Sequence, residues 1–459
     1  MGAAARIGVV LVALLLAGGC ADVPRRPLDP AAAEAQLRAR SLVDPELRDL
    51  CVERLGAPAE PWPPSSVDLP TLALAAWRYR PEMAAARARV EAAETAAGLA
   101  GRLPNPSLSV TPGRVTSTDA SPWVVAAALD LTIPLGGKRE KLRAVADQEV
   151  ELARLDAAGT AWQVYAEVRD ALTEHVFASD LVYALANESR HRAERFKLAQ
   201  ERVAAGFAPR GEAQTARSEA DRTDDELAQA SAEFTAARTR LAAAAGLLTL
   251  DLVNLDEPPF TDAPIEGRVV DRLDVRRALA EHEAAERSLE LELARQYPDL
   301  HLGPGYEYDQ GARKYLLGVG MELPLFDRNQ VGIAAALAHR DASAARFETL
   351  QSAALAQMAI AHDSLDAMRR RVQSVHGPVR RRAQDRVATA IQAFQAGATD
   401  ALSAADAHLE FDAYQRVAAE AKRAWLRAQA AWEDATQRPF DPRLAAIVPM
   451  QGPAQESSR

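Results

Sequence analysis

One succession of segments occurs twice in this chain of 459 residues, and that duplication constrains the fold more than any other feature. In each copy a helical segment runs into a proline turn. Residues 80–88 lead to Leu103-Pro104-Asn105-Pro106, and residues 272–278 lead to Tyr297-Pro298-Asp299. An alternating segment follows: Ser107-Leu108-Ser109-Val110 in the first copy, and Leu300-His301-Leu302-Gly303, continuing to Tyr306-Glu307-Tyr308, in the second. After a polar or glycine-rich turn comes a second alternating segment, residues 129–135 and 319–325. Both end in Pro-Leu, at a spacing of 190 residues (324 − 134). A very long Ala/Glu/Arg/Gln stretch then spans 138–205 and 329–396, closing on Gly206 and Gly397. Return helices are expected over 212–247 and 402–436. Repeats of this kind decide a fold, because each unit must bury its apolar face against its neighbours.

The long stretches predict rods rather than a thick core. Apolar residues make up 48% of the chain but aromatics only 5%. Alanine, the best helix former, fills little volume. At 1.5 Å per residue each stretch would reach roughly 100 Å. The one strong breaker, Gly377-Pro378, predicts a kink in the second copy. Gly206 and Gly397 suit the left-handed conformation that ends a helix.

The alternating segments have period two, so each offers one apolar and one polar face. Leu300, Leu302, Tyr306 and Tyr308 oppose His301, Gly303, Gly305, Glu307 and Asp309. Leu317, Val319, Met321 and Leu323 oppose Gly318, Gly320 and Glu322. At about ten residues each, the segments match tilted membrane-spanning strands. Trp123, Tyr306, Tyr308 and Tyr315 would form part of an interfacial girdle. The same pattern also suits a small soluble sheet with its apolar face on helices.

The N-terminus favours the membrane. Arg6, an apolar run over 7–16, and Ala17-Gly18-Gly19-Cys20 form an export signal ending in a lipobox-like cysteine, although Ala17 stands where leucine is usual. Cys20 is the expected lipidation site, and Ala21 after it points to outer-membrane sorting. Four strands cannot close a membrane barrel, which needs at least about eight, and open edges are not tolerated in hydrocarbon. The strands must therefore join those of other copies: two would give eight, three would give twelve. The chain divides into a signal peptide (1–19), a lipidated, extended N-terminal arm (20–66), repeat one (67–250), a connector (251–268), repeat two (269–438) and a flexible C-terminal tail (439–459).

With Pro104-Asn105-Pro106, the tract Ile133-Pro134-Leu135-Gly136-Gly137-Lys138-Arg139, the doubled tips at Gly206 and Gly397, and the duplication, the stretch from 67 to 438 resembles the TolC family of outer-membrane efflux channels. The Gly-Gly-Lys-Arg tract is most similar to the heavy-metal and cation branch served by RND-type pumps. The resemblance implies a homotrimer with a 12-stranded β-barrel, four strands per protomer, and a long periplasmic α-helical barrel. It also implies a periplasmic adaptor (membrane fusion) protein, an inner-membrane pump and outer-membrane lipid as partners. The tips, Gly206 and Gly397, would contact the adaptor. Asp130, His301, Glu307 and Glu322 would face the barrel lumen. A gate of acidic residues near the tips falls on Asp406, with Ser403 at the other expected position; Asp400 lies one turn from Ser403, and Glu212 sits in the first copy as Ser403 does in the second. The competing reading of these acids is first-turn residues favoured by a helix dipole. The basic runs, Arg190, Arg192, Arg195 and Lys197, then Arg369–Arg371 and Arg380–Arg382, read as solvated helix faces, with pairing to neighbouring helices or contact with an adaptor as the alternative.

Catalytic and metal motifs are missing from the sequence. Its eight histidines are scattered, no HExxH or clustered Cys/His spacing occurs, and Gly136-Gly137-Lys138-Arg139 lacks the elements of a phosphate loop. No cofactor and no enzymatic activity are expected. The net charge of −10 argues against nucleic acid. The competing overall reading is a periplasmic coiled-coil structural or adaptor lipoprotein.

Overall fold

The computed structural model describes residues 23–56, 62, 66–116, 123–250, 254–257 and 267–447. Cys20 and the signal segment lie outside them. Among the described residues, those up to 40 form one unit and those from 41 a second. The first contains α1 (Pro30–Ala39), whose N-cap Asp29 accepts from Ala31 N at 3.0 Å.

In the second unit, α2 (Pro45–Leu55) is capped by Asp44 and buries Leu47 and Cys51. The reading of residues 20–66 as extended is thus corrected for 30–39 and 45–55. In both, an Asp-Pro pair supplies the N-cap and the first helical residue, the position proline tolerates. A two-residue strand β1 (Ser66–Val67) precedes α3 (Leu69–Tyr79) and α4 (Pro81–Leu99). Then come β2 (Ser107–Arg114), β3 (Trp123–Ile133), α5 (Lys138–Ala204) and α6 (Arg210–Ala244). After β4 (Asn254–Leu255), parallel to β1, the order repeats: α7 (Leu273–Ala294), β5 (Leu300–Asp309), β6 (Ala312–Met321), α8 (Gln330–Ser374), α9 (Arg380–Gln395), α10 (Ala401–Thr436) and a short α11 (Pro442–Ile447).

The 67-residue α5 is continuous. Its counterpart is broken between α8 and α9 by a π-helical turn, Val375–Val379, containing Pro378. This is the interruption anticipated at Gly377-Pro378: proline has no N–H for the helical ladder, and an inserted residue re-forms it. Val375 packs with Val372, Trp425 and Leu426.

Where the rods meet, the contacts are small. Ala216, Ala220, Ala230, Ala237 and Ala242 are the buried alanines of α6, and Ala405, Ala407, Ala419, Ala421, Ala428, Ala430 and Ala435 those of α10. Large residues gather midway along α5, where Trp162, Tyr165, Val168 and Leu172 pack with Leu72 and Leu74 of α3. Trp77 Nε1 donates to Ala161 O at 2.8 Å. Leu444 of α11 is wholly buried in the same cluster, and Arg443 pairs with Asp68 at 2.8 Å. Residues 439–447 are therefore docked, a correction to the flexible tail expected from 439 onward.

The four longer strands form one antiparallel sheet in the order β2-β3-β5-β6. Its edges, β2 and β6, have no further strand beside them among the described residues.

Candidate functional site: tips and sheet

At the tips the two copies adopt the same turn. Gly206 has φ +76° and Gly397 φ +68°. Phe207 N donates to Arg202 O at 2.9 Å, and Ala398 N to Ala393 O at 2.8 Å, which satisfies the last helical carbonyls. A Cβ would meet nothing within 4 Å at either glycine, so only the backbone conformation demands it. Phe207 is 81% exposed.

The acids singled out near the tips are all paired with arginines of α5. Arg195 Nε donates to Asp406 Oδ1 at 2.7 Å, and its other arm reaches Glu219 at 3.0 Å. Arg202 pairs with Asp400 and lies 3.4 Å from Glu212. Asp400 and Glu212 are thus brought together on one guanidinium, with Asp406 on another. Asp400 also caps α10: it accepts from Ser403 N at 3.0 Å and Ser403 Oγ at 2.8 Å. These bonds, and then Arg202, hold its carboxyl below the ordinary range. For Arg192 and Arg195 of the first basic run the solvated-face reading gives way to its alternative, pairing with a neighbouring helix: both pair with Glu219 of α6.

Higher along the same seam are groups that sequence reasoning missed. His191 Nδ1 lies 2.5 Å from Asp412 Oδ2, and the His191 and His408 rings stack with centroids 4.8 Å apart. Burial raises the Asp412 carboxyl, opposed by His191. Arg169 donates to Glu433 at 3.1 Å and Asp434 at 2.9 Å, while Tyr165 Oη donates to Glu433 at 2.9 Å. His408 and Asp412 stand four apart on one helix, a readable signal, but their partner is about 220 residues away. Among the described residues no group of three or more His, Cys, Asp or Glu is placed to hold a metal ion.

In the sheet, register sorts the side chains as alternation predicts. Leu300↔Met321, Leu302↔Val319 and Tyr306↔Tyr315 share one face, joined by Leu131↔Leu302 and Val125↔Tyr308. Tyr315, Leu317 and Val319 there are 82%, 72% and 67% exposed. The other face carries Asp130, His301 and Glu307. His301 Nδ1 is 3.2 Å from Thr132 Oγ1 and 3.4 Å from Asp130 Oδ2. Lys314, not singled out from sequence, donates to Glu307 at 3.1 Å and Asp309 at 2.8 Å. Glu322 has the same parity but follows the end of β6, so it falls outside the sheet. No helix among the described residues is long and apolar enough to cross a membrane.

Paired rods, strand hairpins with one exposed apolar face, and twinned glycine tips are the parts that an outer-membrane channel built from several copies requires. Residues 72–247 and 269–436 match the model of the outer membrane efflux protein family, and the chain belongs to that family. The two matched blocks are the two copies. Its members are passive channels of efflux systems, not enzymes. The competing structural or adaptor lipoprotein is thereby set aside. The chain is 28% identical over 313 residues to the cobalt-zinc-cadmium resistance protein CzcC of Cupriavidus metallidurans, covering 66% of this chain and 74% of that one. In fold it is similar to the outer-membrane protein VceC of Vibrio cholerae (TM-score 0.66, 20% identity, 80% of this chain and 95% of that one). It is also similar to the MtrE outer-membrane channel of Neisseria gonorrhoeae (TM-score 0.67, 15% identity, 80% and 88%).

Proposed function

We propose that three copies join β6 to β2 around a ring, closing a 12-stranded barrel continuous with a tunnel of long helices. This assembly is the passive exit duct of a tripartite pump. The observation that carries the reading is the four-stranded sheet with two open edges and one exposed apolar face. Unpaired backbone edges are costly in lipid, so closure by other copies is required. Two copies would give eight strands, whose interior side chains fill. Twelve leave a conduit, and Gly303, Gly305, Gly318 and Gly320 on the polar face keep it wide. Asp130, His301 and Glu307 then line the lumen.

In this reading Cys20 carries the lipid that holds the arm to the outer membrane, and the helices project into the periplasm. The Gly206 and Gly397 tips, with exposed Phe207, meet a periplasmic adaptor that links the duct to an inner-membrane pump. Asp406, Asp400 and Glu212 form the periplasmic gate, held in charge balance by Arg195 and Arg202 in the closed tip. CzcC, named for cobalt, zinc and cadmium resistance, favours divalent metal cations as the exported solute. The test is made on mature protein purified in detergent. A heat-modifiable trimer that conducts in planar bilayers supports the duct; a monomer soluble without detergent refutes it.

A further inference from the structure

The charges of the sheet are sorted by face with two exceptions. Every carboxylate on the four strands, Asp130, Glu307 and Asp309, lies on the face that carries His301, and Lys314 sits among them, paired to two. Arg114 and Arg313 lie on the apolar face instead. Register places Arg114 opposite Trp123 and Arg313 opposite Tyr308. Both side chains are exposed. Neither has a carboxylate partner among the described residues, and that face of the strands carries no acid. The Arg114 guanidinium stands over the Trp123 ring, 5.9 Å from its centroid.

Position makes these arginines informative. An arginine facing lipid is costly at the bilayer midplane and tolerated near the interface. Arg114 is the last residue of β2 and Arg313 the second of β6, so both sit at the hairpin end of the sheet. They also occupy the two edge strands. Resting on the ring closure proposed above, β6 of one copy lies about 4.8 Å from β2 of the next. Arg313 of one copy and Arg114 of its neighbour then flank one seam, on the lipid face, at the end away from the helices. Trp123 and Tyr315, 56% and 82% exposed, supply flat apolar surface beside them.

We infer that each seam binds the phosphate of an anionic lipid headgroup of the outer leaflet, clamped between Arg114 and the neighbour's Arg313. Arginine matches phosphate oxygens with paired N–H donors. The headgroup would fasten adjacent copies at the point where no covalent chain joins them, giving three sites per ring.

The experiment uses detergent-purified full-length trimer incubated with diphosphorylated lipid A, or with the same lipid stripped of phosphate. Retained lipid is read by native mass spectrometry, and the trimer-to-monomer transition by heating. Wild type is expected to retain the phosphorylated form and to dissociate at a higher temperature with it. Arg114→Gln and Arg313→Gln should each weaken retention about fivefold, and the double variant should lose it. Lys314→Gln, a cation at the same height on the other face, should retain lipid as wild type does. Equal retention by the double variant, equal binding of the stripped lipid, or the same loss in Lys314→Gln overturns the inference while the trimer stands. Free pyrophosphate that competes away no lipid from wild type also counts against a phosphate clamp. Wild type that never forms a trimer refutes the duct reading itself, and the inference falls with it.

Discussion

Arg195 donates to Asp406 across 2.7 Å, tying the long helix of the first copy to the return helix of the second a few turns above the tips. The bond crosses between the two repeats, so it resists their separation. It also keeps a candidate gate carboxylate neutralised.

Removing either partner should shift ion selectivity in opposite directions. Arg195→Gln exposes the Asp406 carboxylate and should raise cation preference; Asp406→Asn removes a negative charge and leaves Arg195 paired with Glu219 alone, and should lower it. Stability should fall by no more than about 1 kcal/mol, because Asp406 is half exposed. Reversal potentials across a salt gradient in planar bilayers decide the matter. Unchanged selectivity in both variants would remove Asp406 from the gate.

The buried cluster deeper along this seam behaves differently. Arg169 and Glu433 are each about 5% exposed, and Glu433 also accepts from Tyr165 and Phe440 N. Arg169→Ala would strand a buried carboxylate and should destabilise by about 3–5 kcal/mol. Thermal unfolding followed by circular dichroism measures this. A loss below about 1 kcal/mol would mean that water reaches the cluster.

The cap on the second return helix should be sensitive to acid. The Asp400 carboxyl is held below its ordinary range by its bonds to Ser403 and by Arg202. Its folded value lies below the unfolded one. The stabilisation is therefore complete above the usual carboxylate range and lost as pH falls through the folded value. The protection of the Ser403 amide, corrected for the intrinsic pH dependence of exchange, should fall over that range in wild type. In Asp400→Asn, which still caps but does not titrate, protection should be independent of pH there.

Gly206→Ala and Gly397→Ala should each cost about 1 kcal/mol, since alanine fits the space but resists a positive φ. Asparagine at the same positions should cost less. Equal stability of the alanine variants in thermal melts would show that the tips relax out of the left-handed conformation.

Thiol counting tests the lipid anchor without a lipid assay. Cys51 is 2% exposed, and burial, with Asp68 nearby, pushes its thiol up to about 11. It should resist maleimide in the native protein at neutral pH. After denaturation one thiol per chain should react if the Cys20 thiol carries a diacylglyceryl thioether, and two if it is free.

The duplication, the tip glycines, the faces of the strands and the break at Gly377-Pro378 were all legible, because each rests on local periodicity or on a residue with a peculiar backbone. Two kinds of information were hidden. Asp29-Pro30, Asp44-Pro45 and Asp441-Pro442 look like linker punctuation, yet each opens a helix by capping it. The pairs Arg195–Asp406, Arg202–Asp400 and His191–Asp412 join residues about 200 positions apart. No spacing rule connects such residues until the rods lie side by side. For the same reason Asp400 and Asp406 could be named from sequence, but their neutralisation by α5 could not.

The break between α8 and α9 leaves the two halves of this duplicated molecule mechanically unequal. α5 passes 67 residues without a missing rung, whereas the corresponding shaft has a joint at Pro378, and below it the whole of α9 is without a buried residue. Bending stress applied at the tips will concentrate at that joint. On the duct reading proposed above, a change in the bore at the tips is expected to come from the jointed hairpin of the second copy rather than from the continuous one of the first.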